Sequence, residues 1–202
     1  MRIVAGLGNP GPAYRRTPHN VGFEVVERLA KRFGGTWRSS TPFRGRLARI
    51  TAGGGVLLAQ PATFMNLSGT CVAPLVRYHG AGPANLLVVL DDADLPPGRL
   101  RVRPSGSSGG HRGLQSVIDE LGTGEFARLR IGVGREPGQG LVEHVLGRLD
   151  PERAALVEQA VAAAVEAVLC WLTSGAEEAM NRYNGWSAAP AAGPASEAGS
   201  AT

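Results

Sequence analysis

The fold class follows from the stretch "NLLVVLDDADLPPGRLRVRP", residues 85–104. Residues 85–92 are a short apolar run that ends in two aspartates, and such a run predicts a buried strand. Residues 98–104 alternate apolar side chains with arginines, which predicts a second strand with one polar face. A Pro-Pro-Gly sequence separates the two runs and marks a turn. The stretch therefore predicts two strands joined by a polar loop.

Similar patterns extend in both directions along the chain. Further strands are expected at 2–8, at 44–50 and 56–61 as a hairpin, and at 128–134; helices are expected at 18–33, 68–80, 114–121 and 151–172. Alternating strands and helices predict an α/β protein. We expect a single globular domain whose largely parallel central sheet is flanked by helices.

The composition is that of an ordinary globular protein. Of its 202 residues, 43% are hydrophobic and 19% are charged, which is sufficient for a real core. The N-terminus lacks the pattern of a signal peptide, and we expect no apolar run to reach the ~20 residues needed to cross a bilayer. Cys71 and Cys170 are far apart and show no metal-ligand or redox spacing. These features predict a cytoplasmic protein that does not bind membranes.

The last residues, "SAAPAAGPASEAGSAT" at 187–202, are a low-complexity segment of alanine, proline, glycine and serine. Such a segment cannot bury enough apolar surface to offset the entropy lost on ordering. We therefore predict a folded domain over residues 1–184 and a disordered tail over 185–202.

The positive charge of the chain suggests a polyanionic partner. The formal net charge is +4 and the sequence pI is about 9.7. Arg99, Arg101 and Arg103 alternate on one predicted strand and so share a face, and Arg130 lies on a later strand. Two interpretations are open: a solvated edge strand protected by charge, or a strip that binds phosphate groups.

In such sheets, ligands bind beyond the carboxyl ends of the strands. Four polar junctions, at residues 8–11, 63–69, 91–98 and 105–113, are expected to meet at that edge of the sheet. The junctions carry Asn9, Asn66, Asp91 and Arg112. Asp91 ends a buried strand, so we expect its carboxylate to be semi-buried and to need a partner such as an imidazole.

The segment "YRRTPHNVGF", residues 14–23, offers that imidazole in His19. With Thr17 as N-cap and Pro18 at the first helical position, His19 would lie in the first turn of a helix. The positive end of the helix dipole there favours neutral imidazole, the form that a general base requires near pH 7. A purely structural role for His19 is the alternative.

Two other motifs formally match sites with different chemistry, but their sequence context argues against both interpretations. The run "GLGNPG" at 6–11 formally matches the dinucleotide-binding pattern, but its prolines prevent a helix from starting within the glycines. The run "DDADLPPG" at 91–98 is acidic, yet the histidines have no paired ligand spacing, so we expect no metal.

A serine esterase is a further alternative. The run "GSSGG" at 106–110 matches the G-x-S-x-G nucleophile elbow around Ser108. Asp119 or Asp150 and His144 could complete a triad. However, Pro104 breaks the preceding strand early and two glycines delay the following helix, which favours a flexible loop.

Five motifs in this order and spacing resemble bacterial peptidyl-tRNA hydrolase: "GLGNPG" followed by "Y…T-x-HN-x-GF", "PATFMNLSG", "DDADLPPG", "GSSGGHRGL" and "FARLRIGVG". The resemblance runs from Met1 to about Asn184. It implies a single α/β globule with a mixed central sheet that acts as a monomer without a cofactor. It also implies an enzyme that hydrolyses the ester joining a peptide to the terminal ribose of tRNA and so recycles prematurely released peptidyl-tRNA.

The resemblance also assigns roles to individual residues. His19 matches the base that activates water, Asp91 the acid that holds it, and Asn9 the residue that distinguishes N-blocked from free aminoacyl-tRNA. Tyr14, Phe64 and Asn66 match positions that contact the 3′ end and the peptide. Arg103 and Arg130 match basic residues expected to bind tRNA phosphate, which favours the phosphate-binding interpretation of the arginine strip.

Arg112 departs from the family pattern, which usually has Asn at this position. Arginine keeps hydrogen-bond donors but loses the acceptor and adds charge. It could bind the substrate carbonyl or a terminal phosphate, or it could weaken the placement of the attacking water. The contrasting hypothesis is an RNA-binding protein on the same scaffold that no longer catalyses, and Arg112 is the feature that favours it.

Overall fold

A seven-stranded sheet forms the centre of the protein. The computed structural model describes residues 1–135, 147 and 149–189. The strands are β1 (Arg2–Gly6), β2 (Arg38–Ser40), β3 (Gly45–Ile50), β4 (Val56–Pro61), β5 (Leu86–Asp92), β6 (Leu100–Arg103) and β7 (Ala127–Gly132). The helices of the described residues are α1 (Val21–Arg32), α2 (Gly69–Tyr78), α3 (Arg112–Leu121) and α4 (Pro151–Tyr183).

The sheet is mixed, as the resemblance implied. Its strand order is β2-β3-β4-β1-β5-β7-β6. The central strands β4, β1, β5 and β7 are parallel, whereas β2, β3 and β6 pair antiparallel with their neighbours. β5 is buried along its whole length. The predicted α/β class with a largely parallel sheet is therefore confirmed.

Helices cover both faces of the sheet. Side chains of α1 and α4 form one hydrophobic core with residues such as Val4 and Val89. Side chains of α2 and α3 form a second core on the opposite face, with residues such as Ile3 and Val88. Because successive strand residues point to opposite faces, the two cores draw on alternate residues of the same strands.

Two glycines allow α1 to lie directly on the sheet. A Cβ atom at Gly6 would lie 2.1 Å from the carbonyl oxygen of Gly22, and one at Gly22 would lie 2.4 Å from that of Val89. Only residues without a side chain permit so close an approach. The contact brings the 3₁₀ turn Pro18–Asn20, which precedes α1, against β5.

Helix α4 corrects one expectation from the sequence. By length and composition alone it could cross a membrane, so the expectation that no apolar stretch reaches that length is wrong. In the structure 56% of its apolar stretch is buried, and the helix contacts α1, β6 and β7. These are the contacts of a core helix. The backbone leaves helical geometry at Gly175, with φ of 86°, shortly after the predicted end at 172.

The C-terminal segment packs along the edge strand β6. The side chain of Asn184 accepts a hydrogen bond from the Val102 amide at 2.6 Å and donates one to the Val102 carbonyl at 3.3 Å. Ser187 forms a bridge with Arg99, and Trp186 packs against the core. Residues 185–189, assigned to the tail from sequence, thus contact the domain, whereas 190–202 lie outside the described residues.

Candidate active site

Two histidines share one carboxylate oxygen at the carboxyl end of β5. Nδ1 of His19 lies 2.8 Å from Oδ1 of Asp91, and Nε2 of His111 lies 3.0 Å from the same oxygen. The centres of the two imidazole rings are 5.1 Å apart. Asp91 is only 2% exposed. Since a carboxylate can only accept hydrogen bonds, each histidine donates an N–H to it.

The protonation pattern of His111 is fixed by its place at the start of α3. Its Nδ1 accepts a hydrogen bond from the Leu114 amide at 3.2 Å and so caps the helix. Nδ1 therefore carries no proton, and the proton of the neutral ring is on Nε2, which faces Asp91. His111 could not be singled out from the sequence, although it lies inside the motif "GSSGGHRGL", because histidine is not a usual N-cap residue.

The surroundings of Asp91 favour its ionised form. Burial by itself raises the pKa of the Asp91 carboxyl, but His111 and then His19 outweigh that effect and hold its pKa well below the usual range. The physical cause is the pair of N–H donors on one oxygen, which stabilises the carboxylate. Asp91 is therefore a permanent anion at neutral pH.

His19 presents its second ring nitrogen for chemistry. Because Nδ1–H donates to Asp91, the lone pair of the neutral ring is on Nε2, for which the described residues provide no partner. His19 lies in the 3₁₀ turn Pro18–Asn20 and not in the first turn of α1, which begins at Val21. Thr17 does not cap this turn through its side chain, since its hydroxyl donates to the Tyr14 carbonyl at 2.8 Å.

Asn9 is held so that its amide N–H₂ group is available. Its Oδ1 accepts a hydrogen bond from the Met65 amide at 2.8 Å. The side chain of Asn20 clamps the Asn9 backbone, accepting from its N–H at 2.7 Å and donating to its carbonyl at 3.0 Å. Asn9 is therefore a hydrogen-bond donor fixed in place. Asn20 has no role that its sequence context would predict.

Exposed side chains lie on the loop that follows β4. Asn66 belongs to the 3₁₀ turn Met65–Leu67, which is joined to Asn9 through Met65. Phe64 is 59% exposed and Leu67 41% exposed, which is unusual for large apolar side chains. Tyr14, in the loop that follows Asn9, is half-buried.

The three arginines to which the resemblance draws attention, Arg103, Arg112 and Arg130, have different surroundings. Arg112, the first residue of α3, and Arg103, on edge strand β6, are exposed. The side chain of Arg130 is only 12% exposed and pairs with Asp92 at 3.1 Å. It also donates to the carbonyls of Ser107 and Ser108. Of these three arginines, Arg103 and Arg112 are therefore open to solvent, whereas Arg130 is largely enclosed.

A match to a known protein family decides to which family the chain belongs. The family model described as peptidyl-tRNA hydrolase matches residues 3–191. The chain belongs to the peptidyl-tRNA hydrolase family. The peptidyl-tRNA hydrolase of Symbiobacterium thermophilum is 48% identical over 187 residues, which are 91% of this chain and 98% of that protein. That of Desulforamulus reducens is 46% identical over 188 residues, which are 91% of this chain and 89% of that protein.

A solved structure shares the fold of this family member. The crystal structure of peptidyl-tRNA hydrolase from Acinetobacter baumannii superposes with a TM-score of 0.87 at 34% identity, covering 93% of this chain and 96% of that one. The resemblance inferred from the five sequence motifs is thus confirmed, and so is the mixed α/β fold that it implied.

The histidine–aspartate cluster of this peptidyl-tRNA hydrolase family member resembles a metal site in its composition and in the spacing of its ligand atoms. One ligand atom from each of His19, Asp91 and His111 lies within 4.8 Å of the others. However, a metal on Nε2 of His111 would require the proton on Nδ1, where it would oppose the Leu114 N–H. The three side chains are therefore better suited to hydrogen bonds with one another than to binding a metal ion.

The serine-esterase alternative does not fit the geometry of the family fold. Ser108 stands in a loop between the end of β6 at Arg103 and the start of α3 at Arg112, so it is not on a strand-to-helix elbow. Its side chain has no histidine partner among the residues that the structure describes. His144, the histidine considered for a triad, lies outside them.

Proposed function

We propose that this protein hydrolyses the ester bond of peptidyl-tRNA, releasing free tRNA and a peptide, by means of a water molecule that His19 activates. The observation that carries the proposal is the 2.8 Å contact between Nδ1 of His19 and the buried Asp91 carboxylate. It leaves Nε2, which has no partner within the described part of the chain, as a base at the edge where the family motifs meet. Membership of the peptidyl-tRNA hydrolase family supports peptidyl-tRNA as the substrate.

The proposed reaction needs no cofactor. Nε2 of His19 takes a proton from water as its oxygen attacks the ester carbonyl, and Asp91 stabilises the imidazolium that forms. The side-chain amides of Asn9 and Asn66 donate hydrogen bonds to the substrate and the developing oxyanion. When the tetrahedral intermediate collapses, the C–O bond to the ribose breaks and the ribose oxygen receives the proton from Nε2.

Recognition of the acceptor end is assigned to the loops around this cluster. We assign to the fixed amide of Asn9 the distinction between N-blocked and free aminoacyl-tRNA. Its N–H₂ group can donate a hydrogen bond to the carbonyl oxygen of the N-acyl group, but it cannot accept one from the ammonium of a free aminoacyl-tRNA. Phe64 and Tyr14 supply rings for the terminal base and the peptide. The direct test is release of tRNA from N-acetylaminoacyl-tRNA, with free aminoacyl-tRNA as the resistant control.

Contacts with the tRNA backbone are proposed for Arg103 and Arg130. Arg103 provides an exposed guanidinium on the edge strand, whereas Arg130, whose side chain is only 12% exposed, adds a charge held in place by Asp92. A phosphate contact of this kind changes affinity without changing the chemical step.

Arg103→Ala is expected to weaken tRNA binding roughly tenfold or less and to reduce the slope of log affinity against log salt by about one. The value of kcat should not change. The measurement is a tRNA titration at several salt concentrations. Arg38→Ala is the matched control, because Arg38 is an exposed arginine on β2, the opposite edge strand. Equal losses in the two variants would contradict a specific role for Arg103.

Arg112→Asn tests how this chain uses its unusual residue. We propose that the exposed guanidinium beside His111 binds a phosphate of the tRNA acceptor end. The variant should therefore bind tRNA more weakly and lose about one unit of salt slope, with kcat almost unchanged. A wild type that binds tRNA without cleaving it, and that gains activity in Arg112→Asn, would instead support a binding protein descended from an enzyme.

The cellular setting is proposed on simpler grounds. We place the protein in the cytoplasm, where peptidyl-tRNA arises during translation, and both cysteines are buried free thiols, as suits a reducing compartment. We propose that it acts as a monomer away from membranes. The large apolar side chains that the described residues expose are few, and Phe64 and Leu67 lie at the proposed substrate site.

A further inference from the structure

Arg128 is a buried cation with an unusual set of partners. It lies on β7 and is only 1% exposed. Its Nη1 donates to the carbonyls of Gly106 and Ser107 at 2.6 and 3.2 Å, and its Nη2 donates to that of Gly124 at 2.8 Å. Its Nε donates to the Phe126 carbonyl at 3.2 Å. Among the described residues, no carboxylate lies within ion-pair distance of it.

Burying a cation without a carboxylate partner is costly, and an apolar side chain could fill the same volume. What an apolar side chain cannot do is bind several backbone carbonyls at once. Burial, and then the neighbouring Arg130, lower the pKa of Arg128 to about 10, so it remains protonated at neutral pH. The fork of the guanidinium therefore joins the start of β7 to the loop at 105–110.

The loop at 105–110 needs such an anchor. Gly106, Gly109 and Gly110 have φ values of 137°, 57° and 81°, a region that glycine occupies freely. A loop so rich in glycine has little conformational preference of its own. Arg128 holds its first half, and Arg130 holds the carbonyls of Ser107 and Ser108.

The anchored loop leads directly into the proposed active site. The Ser108 carbonyl accepts a hydrogen bond from the His111 amide at 3.2 Å. The His111 ring then donates to Asp91 at 3.0 Å. A continuous chain of contacts thus runs from the buried guanidinium through the loop to the carboxylate that holds His19.

We propose that Arg128 is a positioning residue, which fixes the loop at 105–110 so that His111 meets Asp91. This inference rests on the proposed function insofar as His19 and Asp91 carry the reaction. Arg128 does not contact the substrate. It sets the geometry of the second hydrogen bond to Asp91, and misplacement of such a group by about 1 Å slows catalysis. Because Arg128 is buried, we expect tRNA binding to be unaltered.

The first test is spectroscopic and does not depend on activity. In two-bond ¹H–¹⁵N spectra of the histidine rings, wild-type His111 should show one tautomer with the proton on Nε2. In Arg128→Lys, which keeps the charge but loses the fork, the His111 signals should move toward a mixture of tautomers. Arg38→Lys, on the far edge strand, should leave them unchanged. An unchanged His111 spectrum in Arg128→Lys would overturn the proposal.

The second test separates positioning from general destabilisation. Below the melting temperature of each variant, Arg128→Lys should lower kcat by roughly tenfold to a hundredfold and leave KM unchanged. In a His111→Ala background Arg128→Lys should lower kcat no further, because Arg128 acts by positioning the His111 ring. Additive losses would contradict the proposal, as would a fall in stability with unchanged kcat.

Two further outcomes are informative. If Arg128→Lys does not fold, Arg128→Gln replaces it, since its neutral amide still donates to carbonyls; if neither folds, Arg128 serves the fold itself and the proposal is wrong. A wild type that cleaves no peptidyl-tRNA would refute the proposed function, and the His111 spectrum would still decide the role of Arg128.

Discussion

Asp91→Asn is expected to reduce kcat by roughly 10³- to 10⁴-fold, as the same substitution does in a catalytic triad. In this protein one oxygen of Asp91 accepts an N–H from each of His19 and His111. If the asparagine oxygen keeps this position, the charge that stabilises the His19 imidazolium is lost. If the asparagine N–H₂ turns toward His19, it forces the proton onto Nε2, and the base disappears.

The measurement is kcat and KM for N-acetylaminoacyl-tRNA. Asp119→Asn is the matched control, because Asp119 is an exposed aspartate on α3 whose carboxylate accepts from the Gln115 side chain. We expect it to behave as the wild type. A loss smaller than about tenfold in Asp91→Asn would be too little for a residue that supports a general base. A raised KM with unchanged kcat would also contradict the account.

The strands and helices could be predicted where the pattern of side chains is local. β5 is an unbroken apolar run, and the hairpin of β3 and β4 surrounds a cluster of glycines, so both were evident from the sequence. β2 was missed, because "RSS" has no apolar periodicity and its strand geometry comes from pairing with β3. The direction of β6 was likewise set by its partner β7 and not by its own residues.

The proposed active site was only partly visible in the sequence. The expectation that Asp91 would meet an imidazole agrees with its contact to His19. His111 was overlooked, since its capping of α3 and its contact with Asp91 depend on how the preceding loop folds. Asn20 was overlooked for a similar reason, because its partner Asn9 is brought near only when α1 packs on the sheet.

The arginine pattern shows a further limit of sequence reasoning. Arg128 and Arg130 alternate on β7 as residues of an exposed polar face would. In the structure the glycine-rich loop covers that face, so Arg128 is buried and Arg130 is largely enclosed. A flexible loop has no periodicity from which its position could be predicted, and its contacts with the two arginines arise only in the folded protein.

His19→Ala is the second change with a large expected effect. Without the imidazole, the attacking water loses the group that takes its proton, and kcat should fall by roughly 10²- to 10⁴-fold. Binding of tRNA should be retained, because the arginines assigned to phosphate lie on other elements, β6, β7 and the start of α3. The fold should also be retained, since His19 belongs to neither hydrophobic core and His111 still donates to the Asp91 carboxylate.

The most direct test of the account is therefore the single-turnover rate of tRNA release from N-acetylaminoacyl-tRNA, measured with excess wild type and with excess His19→Ala, alongside the Kd of each for uncharged tRNA. We predict that the variant loses at least about 10²-fold in rate and binds tRNA with the wild-type Kd. A variant that keeps its rate but binds tRNA more weakly would show that His19 recognises the substrate and does not activate water.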